Sequence, residues 1–175
     1  PVSSPIRQSA TLTSQVYEHV KAAIIAGDLK PDRLYSVNQL ANALGVSRTP
    51  VREALVTLSR EGLLQMDRNR GFRVVRITQK DLDEIIYIRE LLEVPAMACL
   101  AKLRPAPVET FKKARQIYRE LQRAADEGNA LEFLALDRQF HLTLVAGLGN
   151  ARLTRIIGEL RDHMQAACRD MAVRE

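Results

Sequence analysis

The sequence predicts a mainly α-helical chain in which three helices and a β-hairpin are followed by an antiparallel, all-α bundle. Three observations support this fold class. Apolar residues recur at helical spacing along most of the 175 residues. The alternation of apolar and polar residues that is typical of strands surrounds a single Gly-containing loop at 67–71. Beyond residue 77, short loops separate long helical stretches, which favours antiparallel neighbours.

In the first part of the chain, residues 1–10 lack periodicity and are predicted to be a mobile arm. Helices are predicted at 11–26, at 37–44 and from about residue 48 to residue 61. The last two are separated by a tight turn that begins at Gly45, as expected of two helices that cross steeply. With the hairpin over 63–75, these elements describe a winged helix-turn-helix domain covering residues 11–76.

The second part contains helical patterns throughout, interrupted by proline and glycine. The predicted helices cover 79–103, 108–127, 130–146 and 150–172. We assign residues 78–175 to one helical domain.

The basic residues are concentrated in the first part. Residues 1–76 contain 11 Lys and Arg against 6 Asp and Glu, whereas residues 77–175 contain 15 of each. The whole net charge of +5 therefore lies in the first two-fifths of the chain. This concentration of positive charge is typical of a domain that binds a polyanion, although a net charge of +5 also occurs on soluble domains with other functions.

Composition also narrows the class of protein. The two cysteines, Cys99 and Cys168, exclude a disulfide scaffold and indicate a reducing compartment, and we expect both to pack as core thiols. The chain has neither a membrane-spanning stretch nor a signal-peptide pattern, so we expect a cytoplasmic protein without a membrane partner. Because it begins at Pro1 rather than methionine, we expect it to be part of a longer protein.

Polar residues begin the third predicted helix. In a helix-turn-helix this end enters the major groove of DNA. Arg48 and Arg52 are four residues apart and share a face, and a guanidinium matches the O6 and N7 acceptors of guanine. The hydroxyls of Ser47 and Thr49, with the free amides of the helix start, suit a phosphate. The alternative is a solvated face in which Arg52 pairs with an acidic residue.

Two polar features interrupt the apolar faces of the second part. Arg89 points partly inward and requires a carboxylate, supplied either by Glu90 or Glu93 or by a ligand. Asp137 and His141 are four residues apart on one helical face and can share a divalent metal. From the residues alone, a hydrogen-bonded core pair is the favoured interpretation, because two ligands do not make a site.

The motif GVSRTPVREAL at residues 45–55, followed by Glu61-Gly62-Leu63, resembles the signature of the GntR family of bacterial transcriptional regulators. The resemblance covers about residues 12–76 and implies that the residues at the start of the third helix contact DNA. It adds Asn38 in the second helix and Gly71 at the wing tip, where a side chain would clash with the minor groove. Arg68 and Arg70 on the wing are expected to contact the DNA backbone or the minor groove.

The residues 89–93 (RELLE), 137–141 (DRQFH) and Asn150 resemble the effector-binding FCD domain of the FadR subfamily. The resemblance implies that a small carboxylic acid binds near Arg89 and Asn150, although Asn150 is equally suited to cap a helix. It also implies a divalent metal, such as Zn or Ni, held by Asp137, His141 and two later histidines. After His141 only His163 remains, so we expect the site to be incomplete and the closing helices to be missing from this chain.

These features together predict a transcriptional regulator and not an enzyme. We expect a repressor that binds a pseudopalindromic, double-stranded operator as a homodimer and responds to a small carboxylic acid. Alternatively, the helical domain serves only dimerisation or senses a ligand other than a carboxylate. More remote alternatives are a metal-dependent helical enzyme and a winged helix that binds protein instead of DNA.

Overall fold

The computed structural model describes residues 11–172, with side chains described for residues 11–168; the predicted arm at 1–10 lies outside the described residues. This part of the chain contains seven helices and one three-stranded sheet. In chain order they are α1 (Leu12–Ala26), β1 (Leu34–Tyr35), α2 (Val37–Ala43), α3 (Arg48–Arg60), β2 (Leu64–Asp67), β3 (Gly71–Val74), α4 (Gln79–Lys102), α5 (Val108–Asp126), α6 (Ala130–Ala146) and α7 (Ala151–Ala172). Two compact units divide between Arg76 and Ile77, and the second extends to Cys168.

The first unit is a winged helix-turn-helix, as predicted. Helices α1 and α3 pack against each other, and each buries one apolar stripe. The core comprises Val16, Val20, Ile24, Ala41, Val51, Ala54, Leu55, Leu58, Leu63, Leu64, Phe72 and Val74. Because the apolar stripe of α3 faces this core, its polar residues point to the surface.

The sheet contains one strand more than the predicted hairpin. β3 is the central strand and pairs with β2 on one side and with β1 on the other, both antiparallel. Tyr35 of β1 is opposite Phe72 of β3, and their stacked rings lie 5.5 Å apart. A strand of two residues shows no alternation, which explains why the sequence pattern did not predict β1.

Gly71 occupies a different place from the one predicted. It is buried at the start of β3 with a φ of 142°, and the wing tip is formed by the three residues before it. A Cβ atom added to Gly71 would lie 1.9 Å from the backbone oxygen of Tyr35. The pairing of β1 with β3 therefore excludes a side chain at Gly71 within the protein itself. The predicted reason, a clash with the minor groove of DNA, is replaced by this intramolecular contact.

The second unit consists of α4 to α7, whose ends match the predicted ends within one residue. Helices α5 and α6 form a helical hairpin around the buried side chains of Ile117, Ala124 and Leu136. Thr78 and Asp81 form the reciprocal pair of hydrogen bonds that caps α4. No helix among residues 11–172 is long and apolar enough to cross a membrane.

Helix α4 leaves part of its apolar surface open in the single chain. Tyr87, Leu91 and Val94 are 63%, 57% and 66% exposed. Cys99 is exposed as well, so the prediction of a core thiol is wrong there, whereas Cys168 is half-buried. The apolar residues of α4 extend around more of the helix than one neighbouring helix can cover.

Replacing Gly71 with alanine tests the intramolecular explanation. We expect Gly71→Ala to lower the free energy of unfolding of the first unit well beyond the effect of Gly27→Ala. Gly27 also has a positive φ, of 80°, but an added Cβ meets no atom within 4 Å, so its replacement costs about 1 kcal/mol. Hydrogen exchange of residues 11–76 measures both effects. Equal protection in the two variants would contradict the proposed clash with Tyr35.

Candidate nucleic-acid interface and buried ion cluster

The N-terminus of α3 presents four polar side chains to solvent. Ser47 is the N-cap residue, yet its side chain makes no capping hydrogen bond. Ser47, Arg48, Thr49 and Arg52 are all exposed. Among the described residues, neither Arg48 nor Arg52 has an ion-pair partner, so the alternative in which an acidic residue pairs with Arg52 is not observed. These groups remain open to a ligand on this side of the domain.

A notch of about 210 Å³ lies between α2, α3 and the wing. Its lining residues are Ser36, Val37, Asn38, Arg48, Arg52, Met66, Asp67, Asn69, Arg70 and Gly71. Five of the eight residues predicted to contact DNA are thus brought together, from three separate segments of the chain. Ser47, Thr49 and Arg68 are exposed but do not line the notch.

Asp67, the acidic residue that lines the notch, forms an ion pair with Arg73 of the central strand β3. Arg73 Nε donates a hydrogen bond of 3.0 Å to Asp67 Oδ2, and Arg73 Nη1 donates one of 2.6 Å to the backbone oxygen of Asp32. The same guanidinium therefore fixes the base of the wing against the loop before β1. With Asp67 paired in this way, Arg48, Arg52 and Arg70 give the notch a net positive charge.

Helix α1 is fastened to α3 by two side-chain contacts. Thr13 Oγ1 donates a hydrogen bond of 2.8 Å to Glu53 Oε2, and the Tyr17 hydroxyl lies 2.8 Å from both carboxylate oxygens of Glu61. Partial burial raises the pKa of Tyr17 to about 12, reinforced by Glu61 and opposed by Lys21. The phenol thus stays protonated and remains a donor to Glu61, which orients α3 within the domain.

In the second unit, Arg89 pairs with a carboxylate of its own helix. Arg89 Nε donates a hydrogen bond of 2.7 Å to Glu93 Oε1, one turn further along α4. Its Nη1 contacts the sulfur of Met164 on α7. Of the two alternatives for Arg89, the structure shows the internal pair with Glu93.

Glu93 also binds a second guanidinium, which comes from α7. Arg161 Nε and Nη2 donate hydrogen bonds of 3.1 Å and 2.5 Å to the two oxygens of Glu93. Arg161 Nη1 donates a third, of 2.8 Å, to Asp137 Oδ2 on α6. The Arg161 side chain is only 1% exposed. One buried guanidinium therefore joins α4, α6 and α7.

The imidazole of His141 lies between the same two carboxylates. Its Nε2 is 3.5 Å from Asp137 Oδ1, and its Nδ1 is 3.4 Å from Glu93 Oε2. Asp137 and His141 are thus adjacent, as predicted from their spacing. Within residues 11–168, no group of three or more His, Cys, Asp or Glu side chains is arranged to hold a metal ion.

Opposing effects act on the two carboxyl groups of this cluster. Burial favours the protonated form of Glu93, but the guanidiniums of Arg89 and Arg161 outweigh it and hold the pKa below its ordinary value. Burial acts in the same direction on Asp137, and there His141 and Arg161 lower the pKa. Both carboxylates are therefore ionised at neutral pH.

Sequence reasoning missed Arg161 and its neighbours. A second ion pair joins Arg138 of α6 to the buried Asp162 of α7, with Arg138 Nε 2.5 Å from Asp162 Oδ1. Gln165, also buried, donates to the backbone oxygen of Leu134. Arg161 follows Ile157, which is buried, by four residues, so it lies on a helical face where an apolar residue is expected. This departure from the apolar pattern is the sequence feature that could have indicated a buried charge.

Asn150 caps a helix in the structure. Its side-chain oxygen accepts a hydrogen bond of 3.0 Å from the amide of Leu153, and its backbone oxygen accepts one from the amide of Thr154. The structure thus shows the capping role, and a contact of Asn150 with an effector remains a prediction.

The fold and the cationic notch define a winged helix-turn-helix protein with a second, helical domain. The family model "Bacterial regulatory proteins, gntR family" matches residues 12–74. The FCD domain model matches residues 84–175, more than half of the chain. The chain belongs to the GntR family of bacterial regulatory proteins, in the FadR-like subfamily that carries an FCD domain.

Individual relatives agree with this family. An uncharacterized HTH-type transcriptional regulator, YdhC of Bacillus subtilis, is 34% identical over 85% of this chain and 66% of its own length. The probable D-xylose utilization operon transcriptional repressor of Paenarthrobacter nicotinovorans is 32% identical over 83% of this chain and 63% of its own length. The solved structure of Escherichia coli McbR/YncC superposes with a TM-score of 0.80 at 28% identity, covering 95% of this chain and 77% of that one. This chain thus spans just under two thirds of the two sequence relatives.

The buried cluster predicts an acid-sensitive second unit. Since the pKa values of Glu93 and Asp137 lie below the ordinary 4.5 and 3.8, their contribution is complete above about pH 4.5 and is lost as the pH falls through the folded-state values. We expect the free energy of unfolding to decline in this range. Arg161→Met should abolish much of the decline, and Arg155→Met, which removes an exposed arginine of the same helix, should preserve it.

Urea unfolding between pH 3 and pH 7, followed by helical circular dichroism, measures this dependence. The same acid slope in wild type and Arg161→Met would show that the cluster is not its source.

Proposed function

We propose that this protein is a transcriptional repressor that binds a double-stranded, pseudopalindromic operator as a homodimer in the cytoplasm. The observation that carries the proposal is the cationic notch, which gathers Arg48, Arg52, Asn38 and Arg70 from three segments. The free N-terminus of α3 beside it adds backbone amides that suit a phosphate. Repression is supported by the relative named as a xylose-operon repressor.

The residues of the notch and the exposed residues beside it have distinct roles in this proposal. The guanidiniums of Arg48 and Arg52 contact guanine in the major groove, since α3 enters it N-terminal end first. Ser47 and Thr49 bind a phosphate, which sets the register without reading sequence. Asn38, Arg68 and Arg70 contact the DNA backbone or the minor groove. Two copies related by a two-fold axis would then read the two half-sites.

The helical unit is proposed to bind a small carboxylic acid. Two guanidiniums, those of Arg89 and Arg161, already share the carboxylate of Glu93. A ligand carboxylate near Arg89 would find a donor of matching geometry, with Asn150 as a second contact. Asp137 and His141 would hold a divalent metal, which supplies a positive charge for the acid.

A second candidate for the helical unit is a dimerisation domain without an effector. The bond between Arg89 and Glu93 favours it, because an internally paired guanidinium does not require a ligand. Catalysis is not proposed, since the matching relatives are named as transcriptional regulators.

The DNA-binding assignment is tested at Arg52. Duplexes selected from a random-sequence pool by the wild-type protein serve as the operator probe. Arg52→Ala removes a base contact and should reduce discrimination between selected and random duplexes by about tenfold or more per site. Arg60→Ala removes the same charge from the exposed C-terminal end of α3 and should retain discrimination. Gel shifts at one salt concentration measure both, with folding checked by circular dichroism. Unchanged discrimination in Arg52→Ala would refute the assignment.

The effector assignment is tested by adding ligands to the protein–operator complex. Small sugar acids and dicarboxylic acids form the panel, and xylose is the uncharged comparison. We expect one acid to weaken operator binding by at least about fivefold, the lower range of ordinary allosteric coupling. Arg89→Met should lose the response while still binding the operator, and Arg115→Met, at an exposed position of α5, should keep it.

Fluorescence anisotropy of a labelled operator measures this coupling. A response to xylose alone, or the same response in Arg89→Met as in wild type, would contradict a carboxylate site at Arg89. No response to any compound would leave dimerisation as the role of the helical unit.

A further inference from the structure

We propose that a second copy of this chain packs antiparallel against an exposed apolar stripe of α4. The inference rests on the homodimer of the proposed function, and it names the surface and the orientation through which that dimer forms. The α4 stripe comprises Tyr87, Leu91, Val94, Ala98 and Ala101.

The α4 stripe has the spacing of a coiled-coil seam. Its members follow one another at intervals of four, three, four and three residues, which is the heptad pattern of a helix that packs along a second helix. Tyr87, Leu91 and Val94 are each more than half exposed, and the two alanines are exposed as well. A continuous exposed apolar stripe, unlike scattered single residues, is typical of an interaction site.

The other side of α4 packs within its own unit. Glu93, Ala96 and Leu100 are the buried residues of this helix. Because successive residues of a helix are about 100° apart, these three lie on the far side of the helix from the α4 stripe. A second copy can therefore bind the stripe without separating Glu93 from Arg161.

The two ends of the α4 stripe differ in the size of their side chains. Tyr87 and Leu91 are large, whereas the last two positions are alanines. An antiparallel second copy places the large end of each helix on the small end of the other, so that the two surfaces interdigitate. Leu91 then lies opposite Val94 of the second copy, near the centre of the pair. Tyr87 lies opposite Ala98 of the second copy.

The charges at the ends of α4 favour the same orientation. Residues 79–84 contain three acidic side chains and one lysine, whereas residues 98–104 contain two cations and no acid. Glu84 and Lys102 are exposed, and within the described part of the chain Arg104 hydrogen-bonds only to nearby backbone oxygens. Antiparallel pairing brings the acidic end of each α4 to the basic end of the other, whereas parallel pairing aligns like charges. The helix is thus complementary to a second copy of itself.

Disulfide cross-linking tests the orientation. The starting chain carries Cys99→Ser and Cys168→Ala, which removes both native cysteines. Adding Tyr87→Cys and Ala98→Cys together should give a covalent dimer after oxidation with diamide, because each new cysteine meets the other one on the second copy. Within one chain the two positions are about 16 Å apart along the helix, too far for a disulfide.

The single variants are the controls for this experiment. Tyr87→Cys alone and Ala98→Cys alone should remain monomeric on a non-reducing gel, since an antiparallel pair separates two identical positions by about 16 Å along the axis. A parallel pair would cross-link each single variant and not require the double one. That result would overturn the inference.

Sedimentation equilibrium tests the surface itself. Leu91→Glu places a charge at the centre of the pair on both helices, and we expect the dissociation constant of the dimer to rise about hundredfold or more. Leu131→Glu is the matched control, since Leu131 is an exposed apolar residue of α6, and it should leave the dissociation constant unchanged. Equal dissociation constants in wild type and Leu91→Glu would overturn the inference. Circular dichroism checks that both variants fold.

The remaining outcomes separate this inference from the proposed function. A dimer that survives Leu91→Glu leaves the homodimer standing and overturns the α4 surface. A monomeric wild type overturns both, while operator recognition by Arg52 remains a separate measurement. If another segment of the same chain covers the stripe, Leu91→Glu lowers stability without changing the mass, which also overturns the inference. If Leu91→Glu does not fold, the cross-linking variants decide the question.

Discussion

The buried guanidinium of Arg161 is the interaction on which the arrangement of the helical unit depends. It binds Glu93 on α4 and Asp137 on α6 while lying on α7. A buried guanidinium without partners is costly, and Arg161 has both of its partners only when all three helices are in place. The apolar contacts of these helices are less directional, so the ion cluster determines which residues of the three helices face each other.

The winged helix-turn-helix unit uses charge in the opposite way. Its arginines at Arg48, Arg52 and Arg70 are exposed and have no ion pair among the described residues, and the acidic residue near them is paired with Arg73. The like charges of such a surface repel one another in the free protein. Contact with the phosphates of a nucleic acid relieves this repulsion and releases counterions, which favours binding. The surface arginines do not stabilise the fold, so the stability of this unit comes from the apolar core behind α3.

Local features of the fold were predictable from the sequence, and those that depend on distant residues were not. Helix ends follow from periodicity and from Gly and Pro breaks, so the predicted helices agree with the structure. The strand β1 and the close approach of Tyr35 to Gly71 depend on pairing across about half of the domain. Arg161 is separated from Glu93 by 68 residues, and no periodicity connects two charges on different helices.

The family motif identifies residues of the candidate sites but not how they are connected. It predicted Arg89, Asp137 and His141. The structure places Arg89 and His141 beside one carboxylate, and Arg161 joins Asp137 to it. That carboxylate, Glu93, was foreseen only as one of two partners for Arg89. The second guanidinium, that of Arg161, was not foreseen, and it joins Glu93 to Asp137.

The sharing of Arg161 between two acids has an evolutionary consequence. Loss of Arg161 removes the guanidinium that both carboxylates share, and loss of either carboxylate removes one of the two partners of the buried Arg161. Breaking a buried ion pair costs up to about 3–5 kcal/mol, whereas replacing the whole set with apolar residues is often neutral. Intermediates between the two solutions are therefore unstable, and single substitutions cannot easily connect them. Positions 93, 137 and 161 should change together across related sequences, as one inherited unit.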